Sequence, residues 1–149
     1  MRYFISFSYD GTNYHGWQVQ PNADSVQARL NDALTKLLPV PTECVGAGRT
    51  DTGVHASMMV AHFDTDQILD EEAFAFRLNR IVPADIAIEK VERVADDKHA
   101  RFDAKQRTYH YYVYSKKNPY RRHYANRLAY VPDYDLMNEA AKVLLDVDD

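Results

Sequence analysis

Along the first ninety-odd residues the apolar pattern switches period in the order strand, helix, strand, strand, helix, strand, and few folds accept that order. From Arg2 to Tyr9, residues Tyr3, Ile5, Phe7 and Tyr9 alternate with Phe4, Ser6 and Ser8, the period of a strand. Asp24 or Ser25 can cap a helix in which Val26, Leu30, Ala33, Leu34, Leu37 and Leu38 recur at helical spacing, and Pro39 and Pro41 stop it. Thr42 to Ala47 and Ser57 to Phe63 read as two more strands. Asp70 to Arg80 reads as a second helix, with Asp70, Glu71 and Glu72 in a first turn where the helix dipole favours acids. After Pro83, Ile86 to Val94 alternates into a fourth strand, ended by Asp96 and Asp97. The predicted class is therefore α+β, a ferredoxin-like or RRM-like β-α-β-β-α-β unit with two helices on one face of an antiparallel sheet. Arg107 to Ser115 is almost wholly β-forming and is expected to extend the same sheet. Arg127 to Val131 can add another strand, and Asp135 to Leu145 has the spacing of a third helix.

At 149 residues and 46% hydrophobic, the chain suffices for one folded unit with a core. It has no apolar run of about eighteen residues and no N-terminal signal pattern, which points to a soluble, cytoplasmic protein. The single Cys44 lies in an apolar run, where a thiol packs as a small hydrophobe; a disulfide framework and a cysteine-rich zinc site are both excluded.

Between the second and third predicted strands lies Gly48-Arg49-Thr50-Asp51-Thr52-Gly53-Val54-His55-Ala56. A carboxylate, a guanidinium, two hydroxyls and an imidazole between glycines are more functional groups than a connection needs, although Asp-Thr-Gly is also a good turn sequence. Asp51 is a candidate nucleophile or general base, because an aspartate attacks as the carboxylate and a guanidinium such as Arg49 beside it favours that form. The competing readings are a buried structural ion pair of Asp51 with Arg49, and a cation held by Asp51, His55 and His62, whose spacing matches no helical metal signature. The loop from Asp10 to Asp24, which holds Tyr14, His15, Gly16, Trp17 and Gln18, is long for a compact domain and reads as a binding loop or an ordered cap over the core, with Trp17 as a core anchor. Gly46-Ala47-Gly48-Arg49 lacks the ending of a phosphate loop, and neither Ser57 nor Cys44 sits in a nucleophile turn.

A net charge of -4 argues against indiscriminate nucleic-acid binding, but charge is segregated. Nine of the 18 Lys and Arg residues fall between Lys98 and Arg127, against the single acid Asp103. Tyr109, Tyr111, Tyr112, Tyr114, Tyr120 and Tyr124 are interleaved with them, a composition that meets phosphates with charge and bases with rings. A solvated basic face is the plainer alternative. An open sheet face of the kind predicted above is also one that RNA-binding modules use.

Tyr9-Asp10-Gly11-Thr12, Tyr14, Gly16-Trp17-Gln18, Ser25-Val26-Gln27, the nonapeptide from Gly48 to Ala56, His99-Ala100-Arg101-Phe102 and Arg107-Thr108-Tyr109-His110-Tyr111 together resemble the N-terminal half of the tRNA pseudouridine synthase A (TruA) family. The nonapeptide is the specific part of the match. The resemblance implies that Asp51 is the catalytic aspartate, attacking a uridine of the tRNA anticodon stem-loop so that the base detaches, turns and rejoins the ribose through carbon. It implies that Tyr109 stacks on the target base and helps remove its C5 proton, and that Arg49 enters the stem to hold the flipped uridine. Expected RNA contacts are Arg49 and His55 from the loop, and Arg101, Arg107, Lys116, Lys117, Arg121 and Arg122 from the basic stretch. No cofactor or metal is implied, and the family's enzymes are homodimers that take tRNA across both subunits. Thr52 stands where the family usually has alanine, which adds a hydroxyl beside Asp51. The family's chains continue through a second similar domain that supplies a basic partner for the aspartate, so these 149 residues are expected to be an N-terminal domain, and a non-catalytic RNA-binding module or inactive fragment is the alternative.

Overall fold

The computed structural model describes residues 1–147, which part into two compact units, residues 1–107 and the residues from 108 onward. In the first, strands β1 (Arg2–Tyr9), β2 (Val45–Gly46), β3 (Ala56–Asp64) and β4 (Ile86–Val94) form an antiparallel sheet in the order β2-β3-β1-β4. Helices α1 (Val26–Leu37) and α2 (Glu71–Asn79) join its halves. This is the expected α+β ferredoxin-like arrangement.

Period two in β1 places Tyr3, Ile5, Phe7 and Tyr9 on the core face, where all four are buried, with Phe4, Ser6 and Ser8 half-buried on the other. Against them pack Val26, Leu30, Ala33 and Leu34 of α1, Phe74 and Leu78 of α2, and Ala61 and Phe63 of β3. Each large side chain so removed from water contributes about 1.5–3 kcal/mol. The helix starts follow their caps: Ser25 Oγ accepts from the Ala28 N–H and Asp70 Oδ1 from the Ala73 N–H, each satisfying a donor the helix leaves orphaned.

The predicted second strand is shortened from Thr42–Ala47 to Val45–Gly46, and α1 supplies the reason. Thr35, Asn31 and Gln27, spaced four apart on one helix face, bond the Thr42 N–H (3.0 Å), the Cys44 N–H (2.9 Å) and the Cys44 carbonyl (2.7 Å). A backbone served by helix side chains has no need of a ladder. Cys44 is buried between them, and burial pushes its thiol up to about 12, the inert hydrophobe expected.

Arg107–Ser115 does not extend this sheet, contrary to expectation. The outer edge of β4 is occupied: Asn79 bonds both the N–H and the C=O of Ile88 (2.8 and 2.7 Å), and Glu71 accepts from the Arg93 N–H (2.8 Å). Beyond β2, the Ala47 carbonyl accepts from Nε and Nη2 of Arg107. Side chains thus take the groups a fifth strand would use, and β-forming composition alone does not pair a strand.

Among the described residues of the second unit, β5 (Val113–Tyr114) and β6 (Asn126–Arg127) pair in parallel, and α3 (Tyr134–Ala141) runs on into a 3-10 turn over Lys142–Asp146. β6 lies at the start of the strand expected over Arg127–Val131, and α3 starts one residue before the expected helix and ends before Leu145. Asp133 caps α3 through the Leu136 N–H. No helix among the described residues is long and apolar enough to cross a membrane.

His62 on β3 is buried, and its Nδ1 accepts from the Ala100 N–H at 3.2 Å, so the ring is neutral with its proton on Nε2. Burial, then the Arg2 charge, then His99 4.5 Å away between ring centroids, hold it below the ordinary imidazole value; Asp64 opposes them. A proton is therefore taken up more readily by the unfolded chain. His62's contribution is complete above its unfolded value of about 6.5 and is lost as pH falls through that value toward the folded one. Asp64, lowered chiefly by its hydrogen bonds to Arg2, adds a further loss only below about pH 4. Denaturant midpoints should fall between pH 7 and pH 5, and His62→Gln should flatten that slope; an equal slope in the variant would refute the assignment.

Candidate active site

The nonapeptide leaves β2 and returns into β3, so it stands at one end of the sheet. Its position is set by the loop from Asp10 to Asp24. The Trp17 N–H donates to the Thr50 carbonyl (3.0 Å), the Gly53 N–H to the Tyr14 carbonyl (3.2 Å), and the Tyr9 hydroxyl lies 2.9 Å from Thr50 Oγ1. Gly16, at φ +88°, passes so close to the Thr50 carbonyl that a Cβ there would lie 2.3 Å from its oxygen. Trp17 and Tyr14 are buried; Trp17 stacks on Phe7 at 5.6 Å, and the Tyr14 hydroxyl donates to Asp85. Burial and the Asp85 carboxylate together push that phenol above its ordinary range. Trp17 is thus the expected core anchor, and the long loop is an ordered cap that buried rings hold down while His15, Gln18, Val19 and Gln20 are exposed.

Of the two glycines flanking the functional groups, only Gly53 takes a positive φ, +77°. At the start of the loop Arg107 bonds the carbonyls of Ala47 (3.1 and 2.8 Å) and Arg101 (2.7 Å), with its Nε 3.4 Å from where a Gly48 Cβ would stand. Expected as an RNA contact, Arg107 has its guanidinium committed to backbone. His55 is likewise turned inward: its Nδ1 lies 3.1 Å from the Gly11 N–H and 3.0 Å from Asp10 Oδ1. One ring nitrogen cannot accept from the first and donate to the second at once. The Gly11 N–H is aimed at the nitrogen, so Nδ1 accepts from it here, and only a ring carrying a proton on Nδ1 could donate to Asp10.

Arg49, Thr50, Asp51 and Thr52 line an open cleft of about 550 Å³, whose other lip is His15, Gln18, Val19 and Gln20. Asp51 and Arg49 are both exposed, and among the described residues they form no salt bridge with each other. The buried ion pair is therefore corrected: the loop stands out from the end of the sheet, and in solvent an isolated pair gains too little to hold two side chains together. The proposed cation site fails also. His62 is spent on Ala100, and among the described residues no three His, Cys, Asp or Glu side chains converge as metal ligands. An exposed carboxylate beside a guanidinium, on a backbone held by several hydrogen bonds, is free to meet a ligand.

The lip of His15, Gln18, Val19 and Gln20 was not among the expected site residues. Its signal was present in Tyr14-His15-Gly16-Trp17-Gln18, where large rings to be buried alternate with polar groups.

Arg101 is exposed above the Phe102 ring in a turn closed by His99, whose Nδ1 accepts from the Arg101 N–H, and by Asp103, which accepts from the His99 N–H. In the second unit Tyr109 is 71% exposed. Lys116, Lys117 and Arg121 line a separate open cleft of about 400 Å³ with Tyr114, Asn118 and Tyr134, while Arg122 Nε lies 2.8 Å from His123 Nε2.

Comparison with known proteins bears on the same residues. A family model described as tRNA pseudouridine synthase matches residues 5–103, spanning both lips of the cleft. The chain is 54% identical over 145 residues to a protein of Bacteroides thetaiotaomicron named tRNA pseudouridine synthase A, covering 97% of this chain and 54% of that protein. Proteins of the same name from Bacteroides fragilis (53% identical; 99% and 59% covered) and Parabacteroides distasonis (49%; 97% and 58%) are similar to it as well. The chain spans a little over half the length of these curated relatives. With the family model matching about two thirds of the residues, the aspartate loop included, the chain belongs to the tRNA pseudouridine synthase family.

Proposed function

We propose that this chain is the aspartate-bearing N-terminal domain of an enzyme that isomerises uridine to pseudouridine in the tRNA anticodon stem-loop. The observation that carries this reading is the cleft: a solvent-facing carboxylate, Asp51, beside Arg49 on a loop whose backbone is fixed by the facing loop. In that reaction Asp51 attacks the nucleotide and forms a bond to it, the bond from N1 to the ribose breaks, one from C5 to the ribose forms, and the bond to Asp51 breaks to return the free carboxylate. The C5 proton leaves to solvent and N1 is protonated. The exchange is redox-neutral and consumes no second substrate, so a carboxylate and a proton acceptor meet its chemical needs. Tyr109 serves as the ring that stacks on the flipped base and assists loss of the C5 proton, and Arg49 as the group that occupies the space the base vacates. Lys116, Lys117, Arg121 and Arg122, with Arg101, meet backbone phosphates, and the complete enzyme works in the cytoplasm as a homodimer on tRNA.

A second reading, an RNA-binding module without turnover, rests on the exposed tyrosines of the second unit and the lysines and arginine that line its open cleft. Tritium release from tRNA carrying C5-labelled uridine separates the two. The complete gene product should release label from the anticodon stem-loop; release by that product but not by the 149 residues alone assigns the module reading to this piece, and no release from the complete product overturns the proposal. Tyr109→Phe should retain tRNA binding yet slow release by about 10²-fold or more, since the stacking ring stays and the hydroxyl goes. Unchanged release would reduce Tyr109 to a stacking residue.

A further inference from the structure

An enzyme that works on an extruded base must hold its edge as well as its face. Uracil presents an N–H between two carbonyl oxygens, so a group that grips it firmly offers an acceptor and a donor side by side. The cleft that holds Asp51 can be searched for such a group residue by residue. Arg49 only donates, and an ionised Asp51 only accepts. The Thr50 hydroxyl is engaged with Tyr9, and Thr52 offers a single oxygen. His15 carries its donor and acceptor on opposite sides of the ring, too far apart to meet neighbouring atoms. The Gln20 amide already donates to the His15 carbonyl at 2.7 Å. Gln18 remains. It is exposed, its side chain makes no hydrogen bond among the described residues, and it lines the cleft opposite Asp51.

Its backbone is held as firmly as its side chain is free. Trp17 donates to Thr50 and accepts from the Gln27 N–H at 3.0 Å, and the next N–H, that of Val19, donates to Gln27 Oε1 at 3.0 Å. Gln18 is thus fixed between two anchored neighbours, one of them bonded directly to the catalytic loop. We infer that Gln18 is the base-holding residue of the site: its amide oxygen accepts from the uracil imide N–H while its amide N–H donates to an adjacent carbonyl oxygen, setting the ring against Asp51. This rests on reading the cleft as a uridine site.

The test uses the complete gene product in the tritium-release assay, with Gln18→Met, which keeps shape and loses both hydrogen bonds, and Gln18→Glu. Gln18→Met should lower kcat/KM by about tenfold to a hundredfold, the scale of a two-pronged contact to a base edge, with the thermal midpoint unmoved because the side chain is exposed and makes no hydrogen bond among the described residues. Gln18→Glu should be impaired at neutral pH and should recover relative to the parent as pH is lowered, because a protonated carboxyl again pairs a donor with an acceptor. A side chain with a merely structural role would show neither the unmoved midpoint nor the pH-dependent rescue. Gln18→Met within twofold of the parent, or a Gln18→Glu ratio flat with pH, overturns the assignment while the active parent keeps the functional reading. A parent without release overturns both.

Discussion

Asp51→Asn should abolish isomerisation while leaving the fold intact. Asparagine keeps the size and planarity of the carboxylate but has no anionic oxygen to attack with, and removal of a nucleophile from a working site typically costs roughly 10⁴-fold or more in turnover. The structure gives the substitution an unusually clean background. Among the described residues no hydrogen bond that fixes the loop uses the Asp51 side chain; the contacts come from the Thr50 carbonyl and hydroxyl, the Gly53 N–H and the Asp51 carbonyl, which accepts from the Val54 N–H at 3.2 Å. Stability should therefore stay within about 0.5 kcal/mol, as for a surface change that touches no such feature. Tritium release and a thermal midpoint measured on the same preparation check both halves. Release above a tenth of the parent value would remove Asp51 from the chemistry, and a collapse of the midpoint would show that its role is structural.

The contrast between what could be read from the residues and what could not follows from range. Strand and helix periods, the Ser25 cap and the order of strands and helices along the chain were legible because each depends on neighbours within a few residues. Ile86–Val94 was bounded correctly by Pro83 and the Asp96-Asp97 pair. The second strand was over-extended because Gln27, Asn31 and Thr35 take its backbone groups from a helix already ended by then, a contact no local pattern reports. Arg107 misled in the same way. Its neighbours have the composition of a phosphate-binding surface, yet its own guanidinium closes on the Ala47 carbonyl sixty residues away. At the candidate site the chemistry-bearing loop was visible from its functional groups, whereas the facing loop could be read only as a binding loop or a cap, since its apposition to the first depends on the bond between Trp17 and Thr50.

That bond also makes Gly16 a sensitive backbone position of the site. Gly16→Ala should cost about 2–4 kcal/mol and depress turnover together with stability. Two effects combine. The backbone at φ +88° lies in the left-handed region, where a Cβ adds roughly 1–2 kcal/mol of strain. The same Cβ would meet the Thr50 carbonyl oxygen at 2.3 Å and the Asp51 carbonyl carbon at 3.2 Å, both of them backbone atoms that cannot rotate aside. Relief requires the two loops to part, which breaks the Trp17–Thr50 hydrogen bond, unseats Trp17 from Phe7 and moves Asp51 relative to Gln18. A displacement of about 1 Å at a reacting group is worth roughly 10²-fold in rate. Gly53 supplies the control: its φ is also positive, +77°, but a Cβ there meets nothing within 4 Å. Gly53→Ala should therefore show the strain without the clash, losing about 1 kcal/mol. Denaturant unfolding of the two variants, paired with tritium release, separates backbone conformation from loop apposition, and equal losses in both would mean that the close approach of Gly16 to Thr50 does not position the catalytic loop.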